Sequence, residues 1–140
     1  MDIDWDALHA AARHAAESAY APYSGFAVGA SALVDDGRII SGCNVENASY
    51  GLTLCAECGL VSELVRGGGG RLVAVVTMHR TSEGEVVPCM PCGRCRQLLW
   101  EHGGPACLLN GDGHIAPMSD VLPGAFDATE LSPSPTERNQ

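Results

Sequence analysis

Five of the seven cysteines fall into two short clusters, Cys55-Ala56-Glu57-Cys58 and Cys89-Met90-Pro91-Cys92-Gly93-Arg94-Cys95. This spacing is that of a metal site, and a fold built around one must bring the two segments together. Which thiols bind decides what the site can do. Four thiolates, with both Cys55 and Cys58 engaged, make a closed ribbon that only holds structure. Three leave a position for water, and Glu57, next but one to Cys55, is then placed to move that water's protons. A redox dithiol at Cys92 and Cys95 is a third reading, but the surrounding order of elements is not thioredoxin-like.

The chain has 140 residues, of which 46% are hydrophobic, enough for a single core and too few for two. We expect one domain over residues 1–131 and a disordered tail over 132–140, where apolar content fades into Ser132-Pro133-Ser134-Pro135-Thr136. The formal net charge is -9, and no two of the eight Lys and Arg residues are adjacent. Nucleic-acid binding needs a basic footprint and is therefore not expected. No apolar stretch reaches the roughly 18 residues of a membrane span, and the start Met1-Asp2-Ile3-Asp4-Trp5-Asp6 is acidic where a signal peptide is basic. These features predict a soluble, cytoplasmic protein without membrane partners. In that compartment thiols stay reduced, and seven cysteines cannot all pair.

Behind Asp4, a candidate N-cap, Trp5, Leu8, Ala12, Ala15, Ala16 and Ala19 recur at helical spacing until Pro22. Phe26 to Val34 and Arg38 to Cys43 read as strands around the turn Asp35-Asp36-Gly37. A helix follows from Cys55 through Glu63 and Val65 to the run Gly67 to Gly70. Leu72 to Met78 reads as a wholly apolar, buried strand. The second cysteine cluster opens another helix through Trp100, stopped by Gly103-Gly104-Pro105, and Ala106 to Leu109 makes a further strand. The order predicts an α/β domain of three layers, a mixed sheet covered by helices on both faces.

Both clusters thus lie at helix starts, where free amides and the helix dipole favour thiolates at Cys55, Cys92 and Cys95. Three thiolates on Zn²⁺ leave the site near −1, which weakens the metal's pull on bound water unless amides or a cation withdraw charge. Arg94 is the nearest cation in sequence and is expected to serve.

The segments Pro22-Tyr23-Ser24-Gly25-Phe26-Ala27-Val28-Gly29-Ala30, Gly42-Cys43-Asn44-Val45-Glu46-Asn47-Ala48-Ser49-Tyr50, Cys55-Ala56-Glu57 and Pro91-Cys92-Gly93-Arg94-Cys95-Arg96-Gln97 cover most of the domain. Together they resemble the short, homotetrameric cytidine deaminases of pyrimidine salvage. A ligand two residues before Glu, followed by Pro-Cys-x-x-Cys, marks the wider zinc deaminases. The stretch around Asn44 and Glu46 is more discriminating, since it resembles the part that holds the nucleoside sugar. The resemblance implies the cytidine deaminase fold with about five strands, and one Zn²⁺ per subunit on Cys55, Cys92 and Cys95. It implies Glu57 as the catalytic proton carrier, Asn44 and Glu46 on the ribose 3′-hydroxyl, Phe26 against the pyrimidine, and the Ala56 N–H as a donor to the base. It also implies a homotetramer with sites completed across subunits, to which Ala48, Tyr50 and Phe126 contribute. The substrate would be a free nucleoside.

Two positions depart from the family pattern. Cys58 stands where Arg commonly follows the catalytic Glu, and Arg94 stands where a small or neutral residue is common. We expect the cation to have moved from one cluster to the other. The Cys-Gly-Arg-Cys segment also resembles blasticidin S deaminases, which makes a cytosine-nucleoside antibiotic an alternative substrate. A non-catalytic zinc module is the remaining reading. Cys58, Cys43 and Cys107 are expected as core residues and Cys89 as a loop thiol.

Overall fold

The structure is a computed structural model and describes residues 2–111 and 113–131. The tail expected over 132–140 lies outside the described residues.

The first helix, α1 (Trp5–Ala16), starts where the sequence places it: the Asp4 carboxylate accepts the Ala7 N–H at 3.0 Å. It stops three residues before Ala19. Its continuation is taken into a tertiary bridge instead, the Tyr20 N–H donating to Asn44 O at 3.0 Å and Glu46 N–H to Tyr20 O at 2.8 Å. Strands β1 (Val28–Val34) and β2 (Ile39–Cys43) form the expected hairpin, with Gly37 at φ 95° in the turn. β1 begins at Val28 and not at Phe26, because the Ser24 hydroxyl captures the Phe26 N–H at 2.9 Å. The second helix, α2 (Ala56–Arg66), leads into β3 (Leu72–Arg80). The short β4 (Val86–Pro88) folds back on β3, α3 (Gly93–Gly103) follows, and β5 (Leu108–Gly111) and β6 (His114–Pro117) precede the one-turn helix α4 (Met118–Val121).

The sheet order is β2-β1-β3-β5-β6, with β4 paired to the end of β3. Of the paired strands only β3 and β5 run parallel, so the sheet is mixed as expected, and its six strands agree with the expectation of about five. β4 and β6, which the sequence does not mark, are three and four residues long, too short for an alternation of side chains to show. β5 also starts two residues later than expected, after Cys107 has closed a turn onto Gly104 O.

Alternate residues of the central strands serve two cores, as the two-residue period of a strand requires. Ala30, Ala32, Val34 and Val75 pack with Leu60, Leu64 and Leu99 under α2 and α3. Leu33, Ala74, Val76 and Met78 pack with Leu8 and Ala12 under α1. These are the three layers of the expected α/β fold. A Cβ on Gly29 would meet Ala12 O at 2.0 Å, so the absence of a side chain there lets α1 lie directly on β1. Cys107 is buried as expected, whereas Cys43 and Cys58 are only half-buried. All seven cysteines are free.

Candidate active site

Cys55 is the N-cap of α2 and Cys92 the N-cap of α3, and neither helix start is capped by a side-chain hydrogen bond. Orphan amides therefore face both thiols. Cys95, in the first turn of α3, is fully buried, and the three sulfurs lie within 4.8 Å of one another. Cys55 Sγ and Cys92 Sγ are 4.0 Å apart. Cys58 is not part of this group, so among the described residues the four-thiolate ribbon has no fourth thiol.

The electrostatics of the cluster call for a cation. Burial pushes the thiols of Cys55 and Cys95 up, and the Glu57 carboxylate adds to this. Cys92 moves the other way: burial opposes its ionisation, but the Cys95 amide and the Cys95 and Cys55 thiols donate to it and hold it low. A dense set of soft thiols beside a buried carboxylate ionises together only around a positive ion, and tetrahedral thiolate coordination is the preference of zinc. Arg94 is exposed, and among the described residues its side chain makes no hydrogen bond or ion pair. Its neighbour Arg96 is the engaged one, donating to Pro91 O at 2.9 Å and Val121 O at 3.0 Å.

A cleft of about 220 Å³ opens onto the cluster. Phe26, Asn44, Cys55, Ala56, Glu57 and Cys92 line it, which brings together six of the residues singled out in the sequence. Glu57 is 3% exposed, and its Oε1 accepts the Thr77 hydroxyl at 2.9 Å. Phe26 stacks on His79 with ring centroids 4.6 Å apart. The Asn44 amide is held at both ends, its Oδ1 accepting the Val28 N–H at 2.9 Å and its Nδ2 donating to Phe26 O at 2.8 Å. It thereby fixes the bend that presents Phe26.

Glu46 lies in an adjoining cleft of about 330 Å³ with Tyr23, Ser24, Tyr50 and Thr53, and Thr53 lines both clefts. Its carboxylate accepts the Tyr23 N–H at 2.9 Å, the Ser24 N–H at 3.1 Å and the Ser24 hydroxyl. Within the single chain Glu46 thus ties down the loop before Phe26. Ala48, Tyr50 and Phe126 are all exposed, Tyr50 at 75%, and none of them reaches the cysteine cleft.

Thr77 and Cys89 are among the lining residues to which the sequence gives no part in the site. Thr77 sits in a stretch taken as wholly apolar; the one polar residue in that run was the signal. Cys89, expected as a loop thiol, lines the cleft, and burial with the nearby Glu57 charge pushes it up to about 11.

Residues 3–109 match the family model described as the cytidine and deoxycytidylate deaminase zinc-binding region. A cytidine deaminase of Mycobacterium tuberculosis is 53% identical over 137 residues, 98% of each chain. The crystal structure of cytidine deaminase from that organism superposes with a TM-score of 0.82 at 55% identity, covering 90% of this chain and 99% of that one. The enzyme from Burkholderia pseudomallei gives 0.78 at 40% identity, covering 89% and 100%. A three-layer α/β fold with a thiol cluster and a buried carboxylate at two helix starts defines a zinc hydrolase of the deaminase class. The chain belongs to the cytidine and deoxycytidylate deaminase family, and zinc is its cofactor. No helix among the described residues is long and apolar enough to cross a membrane.

Proposed function

We propose that the chain catalyses the hydrolytic deamination of cytidine and 2′-deoxycytidine to uridine and 2′-deoxyuridine, releasing ammonia, in cytoplasmic pyrimidine salvage. The observation that carries this reading is the position of Glu57, buried at the foot of the cleft beside Cys55, Cys92 and Cys95. Zinc held by those three thiolates supplies a Lewis acid that makes water nucleophilic near neutral pH.

The remaining chemistry belongs to the chain. Glu57 takes a proton from the attacking water and delivers it to N3 as the oxygen adds to C4. It then carries a second proton to the amine, the C4–N bond breaks, and ammonia departs. Phe26, braced by His79, packs on the pyrimidine face, and the Ala56 N–H donates to the base. Asn44 and Glu46 hold the ribose. The Cys95 amide, in the first turn of α3, withdraws charge from Cys92.

Residues 1–131 act as one domain, and four copies assemble so that Ala48, Tyr50 and Phe126 complete neighbouring sites. Exposed apolar side chains support the assembly. Tyr20 and Leu54 both bridge to Val45, Tyr23 meets Tyr50 edge-on at 6.0 Å, and all five are at least 44% exposed. The absence of a basic footprint supports a free nucleoside over a polynucleotide.

The test is stoichiometric. Zinc-loaded protein should release one ammonia per cytidine consumed, and chelation should abolish turnover until zinc is restored. Ammonia release that survives complete removal of the metal would refute the reading.

A further inference from the structure

We infer that Thr77 is a positioning residue for the deamination, holding one oxygen of the Glu57 carboxylate so that the other faces the reacting atoms. The inference rests on the function proposed above. Thr77 lies on β3, paired in register with Ala30 of β1, on the face that looks toward α2. Ala30 is small and fully buried, which leaves room beside it for a hydroxyl and a carboxylate. The hydroxyl donates to Glu57 Oε1 at 2.9 Å, both residues are 3% exposed, and both line the cleft. Among the described residues this is the only hydrogen bond of the Thr77 hydroxyl.

Three features make the contact more than the satisfaction of a buried hydroxyl. First, Thr77 is β-branched on a central strand, so its rotamer is stiff and the donor is fixed before substrate arrives. Its backbone is fixed as well, since Thr77 O accepts the Cys89 N–H at 2.9 Å. Second, the other side-chain neighbour able to donate to Glu57 is the Cys95 thiol. As a zinc ligand Cys95 is a thiolate and has no proton to give, which leaves Thr77 as the side chain that orients the carboxylate. Third, Glu57 must accept a proton and release it twice in each cycle. A carboxylate free to rotate offers either oxygen in many poses, whereas one tethered through Oε1 presents Oε2 in a single pose.

The experiment compares zinc-loaded wild type, Thr77→Val and Thr77→Ser as full chains, with zinc content and melting temperature measured for each. Loss of a hydrogen bond to a charged group predicts that Thr77→Val lowers kcat by about tenfold to a hundredfold with KM within about twofold. Thr77→Ser, which keeps the hydroxyl, should recover most of the loss. Affinity for an inhibitor bearing a tetrahedral, hydroxylated C4 should fall in Thr77→Val in step with kcat, while affinity for uridine stays unchanged. Should Val fail to fold, Thr77→Ala takes its place in the same comparison. Unchanged kcat in the folded, zinc-loaded variant, a loss that Ser does not recover, or equal losses of affinity for inhibitor and uridine would each overturn the inference. Wild type that fails to deaminate cytidine would instead overturn the functional reading on which the inference stands.

Discussion

Gly42 of β2 lies directly against the first turn of α2, where a Cβ would stand 2.5 Å from Ala56 O and 2.6 Å from Leu60 N. Both obstacles are backbone, so a methyl group there is accommodated only by moving the helix that begins with Cys55, Ala56 and Glu57. Gly42→Ala is expected to destabilise the fold by about 1–3 kcal/mol, the usual range for overpacking. Zinc affinity should weaken with it, because the α2 thiol is displaced from the two on α3. Denaturant unfolding and a metal competition titration measure the two effects.

Arg94 and Arg96 stand two residues apart on α3 yet differ in what they touch. Arg94→Ala removes an exposed side chain and should leave stability within about 0.5 kcal/mol and zinc content unchanged. Arg96→Ala removes two hydrogen bonds to the carbonyls of Pro91 and Val121 and leaves both without that partner. A loss of about 1–3 kcal/mol is expected. Since Pro91 precedes Cys92 of the thiol cluster proposed to hold zinc, faster zinc release should accompany it. Thermal unfolding and the rate of zinc transfer to a chelator distinguish the pair.

The Glu46 carboxyl is held below its ordinary value, first by the Ser24 hydroxyl, with the Ser24 and Tyr23 amides adding to it against desolvation. A group whose folded pKa is depressed contributes stability that is present above its unfolded pKa, ordinarily near 4.5, and is lost as pH falls through the lower folded value. Wild type should therefore lose stability on acidification across that window more steeply than Glu46→Gln. Melting temperatures from pH 7 to pH 3 give the comparison, and parallel curves would remove the contribution assigned to the carboxylate.

Tyr50 is 75% exposed in the single chain, and its ring meets Tyr23 beside the cleft that holds Glu46. In the proposed tetramer this surface is covered. Tyr50→Asp should place a charge in that contact and shift the protein toward smaller species in light scattering, with turnover falling as the assembly dissociates.

The three-thiol cluster, the carboxylate beside it and the three-layer order are legible from the residues because each rests on local signals: short Cys spacing, helix starts, and a change of hydrophobic period. What the sequence hides depends on contacts across the sheet. Thr77 looks like one letter of an apolar strand until its register with Ala30 and the approach of α2 bring it to Glu57. Arg94 lies between two of the thiols in sequence, but spacing alone does not tell that its side chain is exposed and without a hydrogen bond or ion pair among the described residues. Cys89 looks spare, although the pairing of Cys89 N–H with Thr77 O draws it onto the cleft wall. β4 and β6, three and four residues long, are defined by their pairing with β3 and β5 and are too short to carry a pattern of their own.

The central claim is that Glu57 moves protons for the deamination of a free cytosine nucleoside. The most direct measurement follows the ultraviolet change of cytidine and 2′-deoxycytidine with zinc-loaded wild type and Glu57→Gln, zinc content and folding verified for both. The expected result is turnover by wild type and a loss of at least about a hundredfold in the variant, as removal of a general acid–base group entails, with zinc retained. No turnover of either nucleoside by folded, zinc-loaded wild type, or undiminished turnover by Glu57→Gln, would contradict it.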